Sequence, residues 1–280
     1  MVTQSPAIDI REIKELPELK AIEELQEKIW GCSEREILPS LALIPLLEIG
    51  GVLIGAFDRN NLIGFVLGFP GIEDGRPIIH SDMLGVKPEY RSRGLGYVLK
   101  QAQRKKALEK GIDTITWTFD PLQSRNAYLN FAKLGVIANR YKVNYYGETS
   151  SFLHRTGTDR LWVKWLLNSE RVAKRLQGQH VPMILADEFQ KVPALLRVSE
   201  TGEPELTNET SQGAALLEIP GNMSDLIIED GELARRWREA SRRAFAKVLD
   251  GGYTLVEFYR FERDSRVIGT YLALEKQIQP

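Results

Sequence analysis

The chain has 280 residues, of which 43% are hydrophobic and 27% charged, so it is long enough for one large or two modest globular domains. Its 37 basic and 38 acidic side chains nearly cancel, which argues against a nucleic-acid or membrane partner. A single cysteine, Cys32, excludes an internal disulfide, three histidines argue against a histidine-rich metal site, and no apolar run reaches the ~20 residues of a membrane span, so we expect a cytoplasmic protein without a bound metal.

The predicted elements of the first part of the chain follow from apolar spacing and from the positions of proline and glycine. In chain order we predict a strand at 8–12, a helix from 17, a broken helix at 37–49, strands at 52–57, 62–69 and 77–86, a helix at 97–110, a strand at 114–119, a helix at 124–134, and strands at 136–146 and 160–167. Pro70 is expected to end the first hairpin. The strand–helix–strand order around 97–110 predicts two parallel strands in an otherwise antiparallel, mixed sheet.

The sequence changes character after Arg171. Residues 177–224 contain several Pro and Gly residues and only short apolar runs. After them we predict a long helix that begins at the N-cap Asp230 and ends at Leu249, followed by strands at 253–261 and 267–274. The fold class is therefore predicted to be α+β, with one domain at 1–168 and a smaller α+β domain of unknown role at 169–280.

The segment from Val86 to Tyr97, VKPEYRSRGLGY, lies between a predicted strand and a predicted helix, with two glycines at the helix start. A helix start leaves about four backbone N–H groups without intrahelical partners, and the helix dipole adds partial positive charge there. Glycines let a phosphate approach the backbone closely. The segment therefore fits either a pyrophosphate-binding loop or a tight turn. It is neither a Walker loop nor a dinucleotide-binding fingerprint, because the required Lys-Ser/Thr and third glycine are missing.

The pattern Val-x-Pro-x-Tyr-Arg-x-x-Gly-x-Gly between a strand and a helix closely resembles the acyl-CoA pyrophosphate motif of the GNAT superfamily of N-acyltransferases. The resemblance covers residues 8–167, and the predicted element order is similar to the GNAT fold, a mixed sheet flanked by helices. It implies that acetyl-CoA or another acyl-CoA is the co-substrate, and that residues 114–119 form one side of its cleft. The implied cofactor-binding residues are Leu84, Val86, Arg91, Ser92, Arg93, Gly94, Leu95, Gly96 and Tyr97.

The segment from Ser124 to Gly135 resembles a late helix of the family and departs from it at two positions. Ser124 stands where the family usually has Asn, and Phe131 where it usually has the Tyr that protonates the departing CoA thiolate. Phe131 cannot donate a proton, although by position Ser124, Asn126 and Phe131 are implied to contact the cofactor. Tyr128, one turn earlier, is either a substitute proton donor or a packed aromatic side chain. Asn126 either replaces the missing amide contact or caps the helix.

His80 and Asp82 are two residues apart on a predicted strand, a spacing that places side chains on one face. An alkylamine is mostly protonated at neutral pH, so a proton acceptor favours its attack on a thioester. In the arylalkylamine branch of the superfamily two histidines occupy similar positions; His80 matches one of them, and Asp82 stands at the other. We expect His80 to remove the proton and Asp82 to orient His80 or the amine. The alternative is that both only hydrogen-bond neighbouring loops.

Two arginines are candidates for binding the acceptor. Arg155 and Arg160 flank the loop between the last two strands of the first domain, where either supplies a cation for the carboxylate of an amino-acid acceptor or is simply solvated. Covalent catalysis is not expected. Cys32 is far in sequence from any histidine, and Ser81 lacks the context of a nucleophile elbow.

These features favour an N-acyltransferase that moves an acetyl or other small acyl group to the amine of a small molecule or amino acid by direct attack. The alternative is a non-catalytic acyl-CoA-binding or regulatory protein, because Phe131 replaces the expected Tyr. The helix around residues 235–247 is rich in arginine but also has an apolar stripe, so we expect one packed and one solvated face rather than a nucleic-acid-binding surface. A homodimer is left open, and the C-terminal domain is compatible with a degenerate half of a GNAT unit.

Overall fold

The computed structural model describes residues 8–31, 33–151, 154–179, 184, 186–207 and 213–275, so Cys32 lies outside the described part. The chain divides into two units. The first consists of Met1–Trp117 with Thr149–Phe152, and the second of Thr118–Glu148 with Leu153–Pro280. This division differs from the predicted boundary after residue 168, because the strands on either side of residue 150 pair within the second unit. The sequence domains 1–168 and 169–280 stay a prediction.

The first unit contains a sheet with strand order β1-β2-β3-β4-β5. Its strands are β1 (Asp9–Glu12), β2 (Val52–Asp58), β3 (Asn61–Glu73), β4 (Arg76–Val86) and β5 (Thr114–Phe119), and its helices are α1 (Leu16–Trp30), α2 (Ser40–Glu48) and α3 (Leu95–Glu109). Neighbouring strands are antiparallel except β4 and β5, which are parallel. The predicted mixed sheet and the predicted parallel pair are confirmed. The chain passes into the second unit inside β5.

The core of the first unit is built from one face of α1 and α2 against β2 and β3. The periodic apolar residues Leu19, Ile22 and Leu25 of α1 are buried, as their spacing predicts. They pack with Leu43 of α2 and Phe65 of β3. Full burial of one such side chain contributes about 1.5–3 kcal/mol, so this cluster is the main support for the sheet that carries the site.

The strand β3 is longer than predicted. It continues through Pro70 and Gly71 to Glu73, where Asp74 and Gly75 form a tight turn with positive φ at both residues. The pairing of β2 with β3 ends at Gly68, so Pro70 has β4 as a neighbour on one side only. A proline is tolerated there because the missing N–H group faces no strand. The predicted strand end at Phe69 was therefore too early, whereas the pairing of β2 with β3 does end before Pro70, as predicted.

The second unit has a sheet with strand order β7-β6-β11-β12-β10-β8-β9. Its strands are β6 (Ile137–Lys142), β7 (Arg160–Leu166), β8 (Ala194–Val198), β9 (Pro204–Leu206), β10 (Ala214–Pro220), β11 (Thr254–Arg263) and β12 (Arg266–Leu274). Its helices are α4 (Ser124–Ala127), which continues as a π-helix over Tyr128–Leu134, α5 (Glu170–Leu176), α6 (Ala186–Phe189), α7 (Met223–Glu229) and α8 (Gly231–Asp250). The predictions missed β8, β9 and β10, whose apolar runs are short.

The helix α8 begins as predicted, because the side chain of Asp230 accepts a hydrogen bond from the backbone N–H of Leu233 at 2.9 Å. Its arginines are not simply a solvated flank. Arg238 is buried and donates two hydrogen bonds, of 2.8 and 2.7 Å, to the carboxylate of Asp120. Arg242 likewise binds Asp159 at 2.9 and 2.8 Å. No helix within the described residues combines the length and apolar character needed to cross a membrane.

Replacing Arg238 with Met should lower the free energy of unfolding by about 3–5 kcal/mol, because the buried carboxylate of Asp120 is left charged and unpaired. Urea denaturation measures this change. The matched control is Arg235→Ala on the same helix, where Arg235 forms an exposed pair with Glu232. That control should change the free energy of unfolding by at most about 0.5 kcal/mol. Equally small losses in both variants would show that the Asp120–Arg238 pair does not stabilise the second unit.

Candidate active site

The loop between β4 and α3 has the backbone conformation of an anion-binding turn. A short 3-10 turn at Pro88–Tyr90 is followed by Ser92 with φ of 63° and by Gly94 with φ of 77°, which is the N-cap of α3. Gly94 is needed there because L-residues with a Cβ atom disfavour the left-handed region. When residues in the left-handed backbone conformation alternate with residues in the right-handed one, successive backbone N–H groups point to the same side. This arrangement binds anions.

Backbone hydrogen bonds show which N–H groups of the loop are already occupied. The N–H of Arg91 donates to the carbonyl of Pro88 at 3.2 Å, and that of Tyr97 to the carbonyl of Gly94 at 3.0 Å. Within the described part of the chain, no acceptor meets the N–H groups of residues 92–96. The resemblance implied pyrophosphate contacts from Arg91 through Tyr97, and the geometry narrows the candidate donors to these five residues.

Side chains hold the loop in place. The hydroxyl of Tyr90 donates to Asp58 at 2.7 Å, and the ammonium of Lys87 donates to Asn61 at 3.0 Å, so the β2–β3 turn anchors the loop from one side. The Nε of Arg91 donates to the carbonyl of Val86 at 3.2 Å. Arg93 lies over the Tyr90 ring, with Cζ 5.0 Å from the ring centroid. Contacts within the protein therefore hold the loop in this conformation.

The strands β4 and β5 pair at two positions and then diverge; we call this divergence the β4–β5 fork. Ile79 pairs with Ile115 and His80 with Thr116, and among the described residues no further pair follows. On its other side β4 stays paired with β3 as far as Val86. Beyond His80, the edge of β4 toward β5 therefore exposes backbone groups to the fork. The half-buried residues Leu84 and Val86 lie on this stretch.

A β-bulge interrupts β4 inside the fork. Met83 pairs with Leu67 and Ser81 with Gly68, so Asp82 is an extra residue without an opposite partner. Ser81 contacts α3, whereas Met83, two residues later, packs with the core of α1 and α2. The regular alternation of faces is thus interrupted between Ser81 and Met83, and the shared face of His80 and Asp82 stays a prediction. Asp82 reaches solvent, although the surrounding protein raises the pKa of its carboxyl group by desolvation.

His80 is half-buried at the last paired position of the fork. Its Nδ1 lies 2.9 Å from the hydroxyl oxygen of Thr116 on β5, which fixes the ring across the two strands. Burial lowers the pKa of His80 to about 4, with a further contribution from the charge of Lys100. The imidazole is therefore neutral at neutral pH and has a nitrogen able to accept a proton.

Sequence reasoning missed Lys100, a buried lysine beside the fork that is only 2% exposed. Its ammonium donates to the hydroxyl of Ser81 at 2.8 Å and to the side-chain oxygen of Gln103 at 3.1 Å, and it lies 3.6 Å from the Trp117 ring centroid. A signal was present in the sequence, because Lys100 and Gln103 share a helical face with the apolar Leu99.

The two aromatic candidates, Phe131 and Tyr128, belong to the second unit and have different surroundings. Phe131 is fully buried and packs against Phe119 and Tyr271, with ring centroids 6.4 and 5.6 Å away. A ring enclosed in this way offers no surface to a cofactor, which corrects the implied contact. Tyr128 is 36% exposed and lines a cavity of about 300 Å³, with the ammonium of Lys133 5.5 Å from its ring centroid.

The polar candidates of α4 differ in exposure. Ser124 is 2% exposed. Its hydroxyl lies in the core, so close to Gly269 that a side chain at position 269 would contact it. The implied contact of Ser124 with a cofactor is therefore not supported by its position. Asn126 is exposed in the first turn of α4 and does not cap it, because the N-cap residue is Gln123. Asn126 remains accessible to a ligand.

Arg160 belongs to an aromatic and basic cluster in the second unit. Its Nη2 lies 2.7 Å from Nε2 of His154, and its guanidinium lies over the Tyr146 ring with Cζ 5.0 Å from the centroid. The Tyr146 hydroxyl in turn lies 3.2 Å from that of Thr118. Arg155 is exposed in the turn that follows His154. The cluster combines a cation with a flat aromatic surface.

Comparisons with known proteins bear on the family and the fold. Residues 19–135 match the family model described as the acetyltransferase (GNAT) family. A comparison with curated proteins gives no match. Among solved structures, the ribosomal-protein-S18-alanine N-acetyltransferase from Escherichia coli has 13% identity over 64% of this chain and 99% of its own, with a TM-score of 0.46.

Two further solved structures show similar values. The aminoglycoside 6'-acetyltransferase type Ii has 19% identity over 58% of this chain and 99% of its own, with a TM-score of 0.46. The PaiA N-acetyltransferase from Thermoplasma acidophilum, solved with coenzyme A, has 18% identity over 56% of this chain and 98% of its own, with a TM-score of 0.39.

The family match includes the loop at residues 91–97, the parallel strands of the fork and the helix between them. The resemblance noted in the motif and the predicted mixed sheet flanked by helices are both confirmed. The chain therefore contains, at residues 19–135, a segment that matches the acetyltransferase (GNAT) family.

Proposed function

We propose that this protein is an N-acyltransferase that moves an acetyl or another small acyl group from acyl-CoA to an amine of a small molecule or amino acid. The observation that carries the proposal is the loop at the start of α3, where the N–H groups of residues 92–96 meet no acceptor in the described protein. The loop lies in the segment that matches an acetyltransferase family. The cytoplasmic location stays a prediction.

Residues 92–96 bind the pyrophosphate of the co-substrate in this proposal. Five N–H groups and the N-terminal end of the α3 dipole act together on one dianionic group, the arrangement that favours phosphate at helix starts. From there Leu84 and Val86 of β4 offer backbone groups to an extended, amide-containing arm in the manner of an added strand. In this proposal the backbone at the Asp82 bulge, where β4 and β3 are not matched one to one, stabilises the oxygen of the thioester carbonyl as it gains negative charge.

His80 is the proposed proton acceptor for the attacking amine. An alkylammonium with pKa near ~10.4 must lose a proton before it attacks, and a neutral imidazole accepts one directly or through a water molecule. Thr116 fixes the ring orientation at 2.9 Å. Asp82, at the bulge two residues after His80, is proposed to orient His80 or the amine. Its carboxyl group attracts the cationic amine into the fork.

The departing thiolate has no assigned proton donor. Phe131 has no proton to give and is enclosed in the core, and Tyr128 lines a cavity with Lys133 in the second unit. This favours a mechanism in which the thiolate leaves as an anion and is protonated by solvent. It also keeps a non-catalytic acyl-CoA-binding protein as the second candidate function, and turnover with an amine separates the two.

Arg155 and Arg160 are proposed to bind the acceptor. The Arg160 guanidinium lies over the Tyr146 ring, with Cζ 5.0 Å from the centroid, and its planar set of N–H groups suits a carboxylate. An acceptor with both an amine and a carboxylate would use them, and a simple alkylamine would not. Turnover of an amino acid compared with its decarboxylated amine measures this preference.

Acetyl-CoA, succinyl-CoA and free CoA at about a hundred times their dissociation constants should each stabilise the folded protein by ~2.7 kcal/mol, seen as a shift of the thermal midpoint. Gly94→Ala should lose most of this shift, because a Cβ atom at φ of 77° distorts the loop. The matched control is Gly75→Ala, with φ of 76° and equally open surroundings in the β3–β4 turn.

Both glycine variants should lose about 1 kcal/mol of stability from backbone strain, so only ligand binding distinguishes them. If Gly94→Ala keeps the full shift, or if the wild type shows none with any of the three ligands, the loop is not the CoA site.

His80→Gln should lower kcat/KM for the amine by about 10²-fold or more while leaving the CoA-induced thermal shift unchanged. In the wild type the pKa of His80 is about 4, so kcat/KM should fall only as pH drops through that value, where the base becomes protonated. Steady-state kinetics across pH measures both effects. If His80→Gln shows wild-type turnover and the same fall of kcat/KM at low pH, His80 is not the proton acceptor.

A further inference from the structure

Lys100 is an ionisable group inside the first unit that the proposed chemistry does not use. It lies on α3, is 2% exposed, and within the described residues its ammonium contacts no carboxylate. Its three contacts are a hydroxyl, an amide oxygen and the face of an indole ring. Burial lowers the pKa of Lys100 well below its ordinary value. A lysine held this way is costly to the fold, so its position calls for a physical explanation.

The contacts of Lys100 coincide with the opening of the β4–β5 fork. The last backbone pair of the fork is His80 with Thr116. The next residue on each strand is the one that Lys100 holds: Ser81 on β4, at 2.8 Å, and Trp117 on β5, at 3.6 Å from the ring centroid. One side chain from α3 therefore joins the two strands at the position where backbone pairing stops.

Lys100 also acts on His80, the residue before its hydrogen-bond partner Ser81. The charged side chains of β4 and of α3 in this region are Asp82, Lys100 and Arg104. Among them Lys100 is the one whose charge lowers the pKa of His80, after the larger effect of burial. The partner of His80 on β3 is Phe69, and its partner on β5 is Thr116, and both are uncharged.

We propose that Lys100 is a positioning residue that braces the β4–β5 fork by joining Ser81 to Trp117 next to His80. The brace fixes the separation of the strands between which the thioester would lie, and the ammonium disfavours a second positive charge on the imidazole. The catalytic consequence rests on the proposed acyl transfer. The brace and the electrostatic coupling are properties of the fold and do not depend on it.

The electrostatic part is tested by NMR titration of the histidine rings in the full-length protein, with the His80 signal assigned from His80→Gln. Lys100→Met removes the charge and keeps the length of the side chain, so the pKa of His80 should rise from about 4 toward its ordinary value. Lys100→Arg keeps the positive charge, so the pKa of His80 should stay low in that variant. The matched control is Lys105→Met, an exposed lysine on the same helix, which should change nothing.

If Lys100→Met does not fold, Lys100→Gln replaces it, because the amide still donates to Ser81 without a charge. An unchanged His80 titration in a folded variant without the charge overturns the coupling. This readout needs no turnover. An inactive protein with a shifted His80 titration would therefore count against the acyltransferase proposal and not against the coupling.

The bracing part is tested by Ser81→Ala, which removes one hydroxyl and keeps Lys100. We expect kcat to fall about tenfold with little change in acyl-CoA affinity, because the fork is less well held while the pyrophosphate loop is intact. In Lys100→Met the acid limb of kcat/KM should also move to higher pH by about one unit. Wild-type kcat in Ser81→Ala would overturn the bracing role.

Discussion

The end of backbone pairing between β4 and β5 is the constraint on which the first unit depends. Parallel strands are normally held by evenly spaced N–H to carbonyl hydrogen bonds, and here the last paired residues are His80 and Thr116. Beyond them, side chains determine the geometry. The Thr116 hydroxyl holds the His80 ring, and Lys100 joins Ser81 to Trp117. The candidate site therefore lies where the sheet does not complete its own hydrogen bonding.

Much of the framework was predictable from local patterns, and the details of the site were not. The strand at 114–119 and the N-cap at Asp230 were predicted to the residue, because β-branched composition and capping are local properties. The bulge at Asp82 depends on its register against β3, which no local pattern reveals. Lys100 looks like any helix lysine until the strands beneath α3 supply Ser81 and Trp117 as its partners.

The second unit shows how composition alone misdescribes a charged helix. The sequence predicted that the arginines of α8 lie on a solvated face, yet Arg238 and Arg242 bind Asp120 and Asp159. Asp159 also accepts a hydrogen bond from the Tyr141 hydroxyl at 2.7 Å. Buried carboxylates with several donors fix the helix position more narrowly than apolar contacts do, because a hydrogen bond is directional.

The proline in β3 has a consequence for the behaviour of the protein in concentrated solution. Past Gly68 no strand among the described residues pairs with one side of β3, and Ile72 on that stretch is 79% exposed. An open, apolar strand edge is a template on which a strand from another molecule can add, which is the first step of many aggregates. Pro70 removes one N–H donor from this edge, and Glu73 places a charge near its end. The long arm that β3 and β4 extend from the sheet is thus protected against self-association by its own sequence.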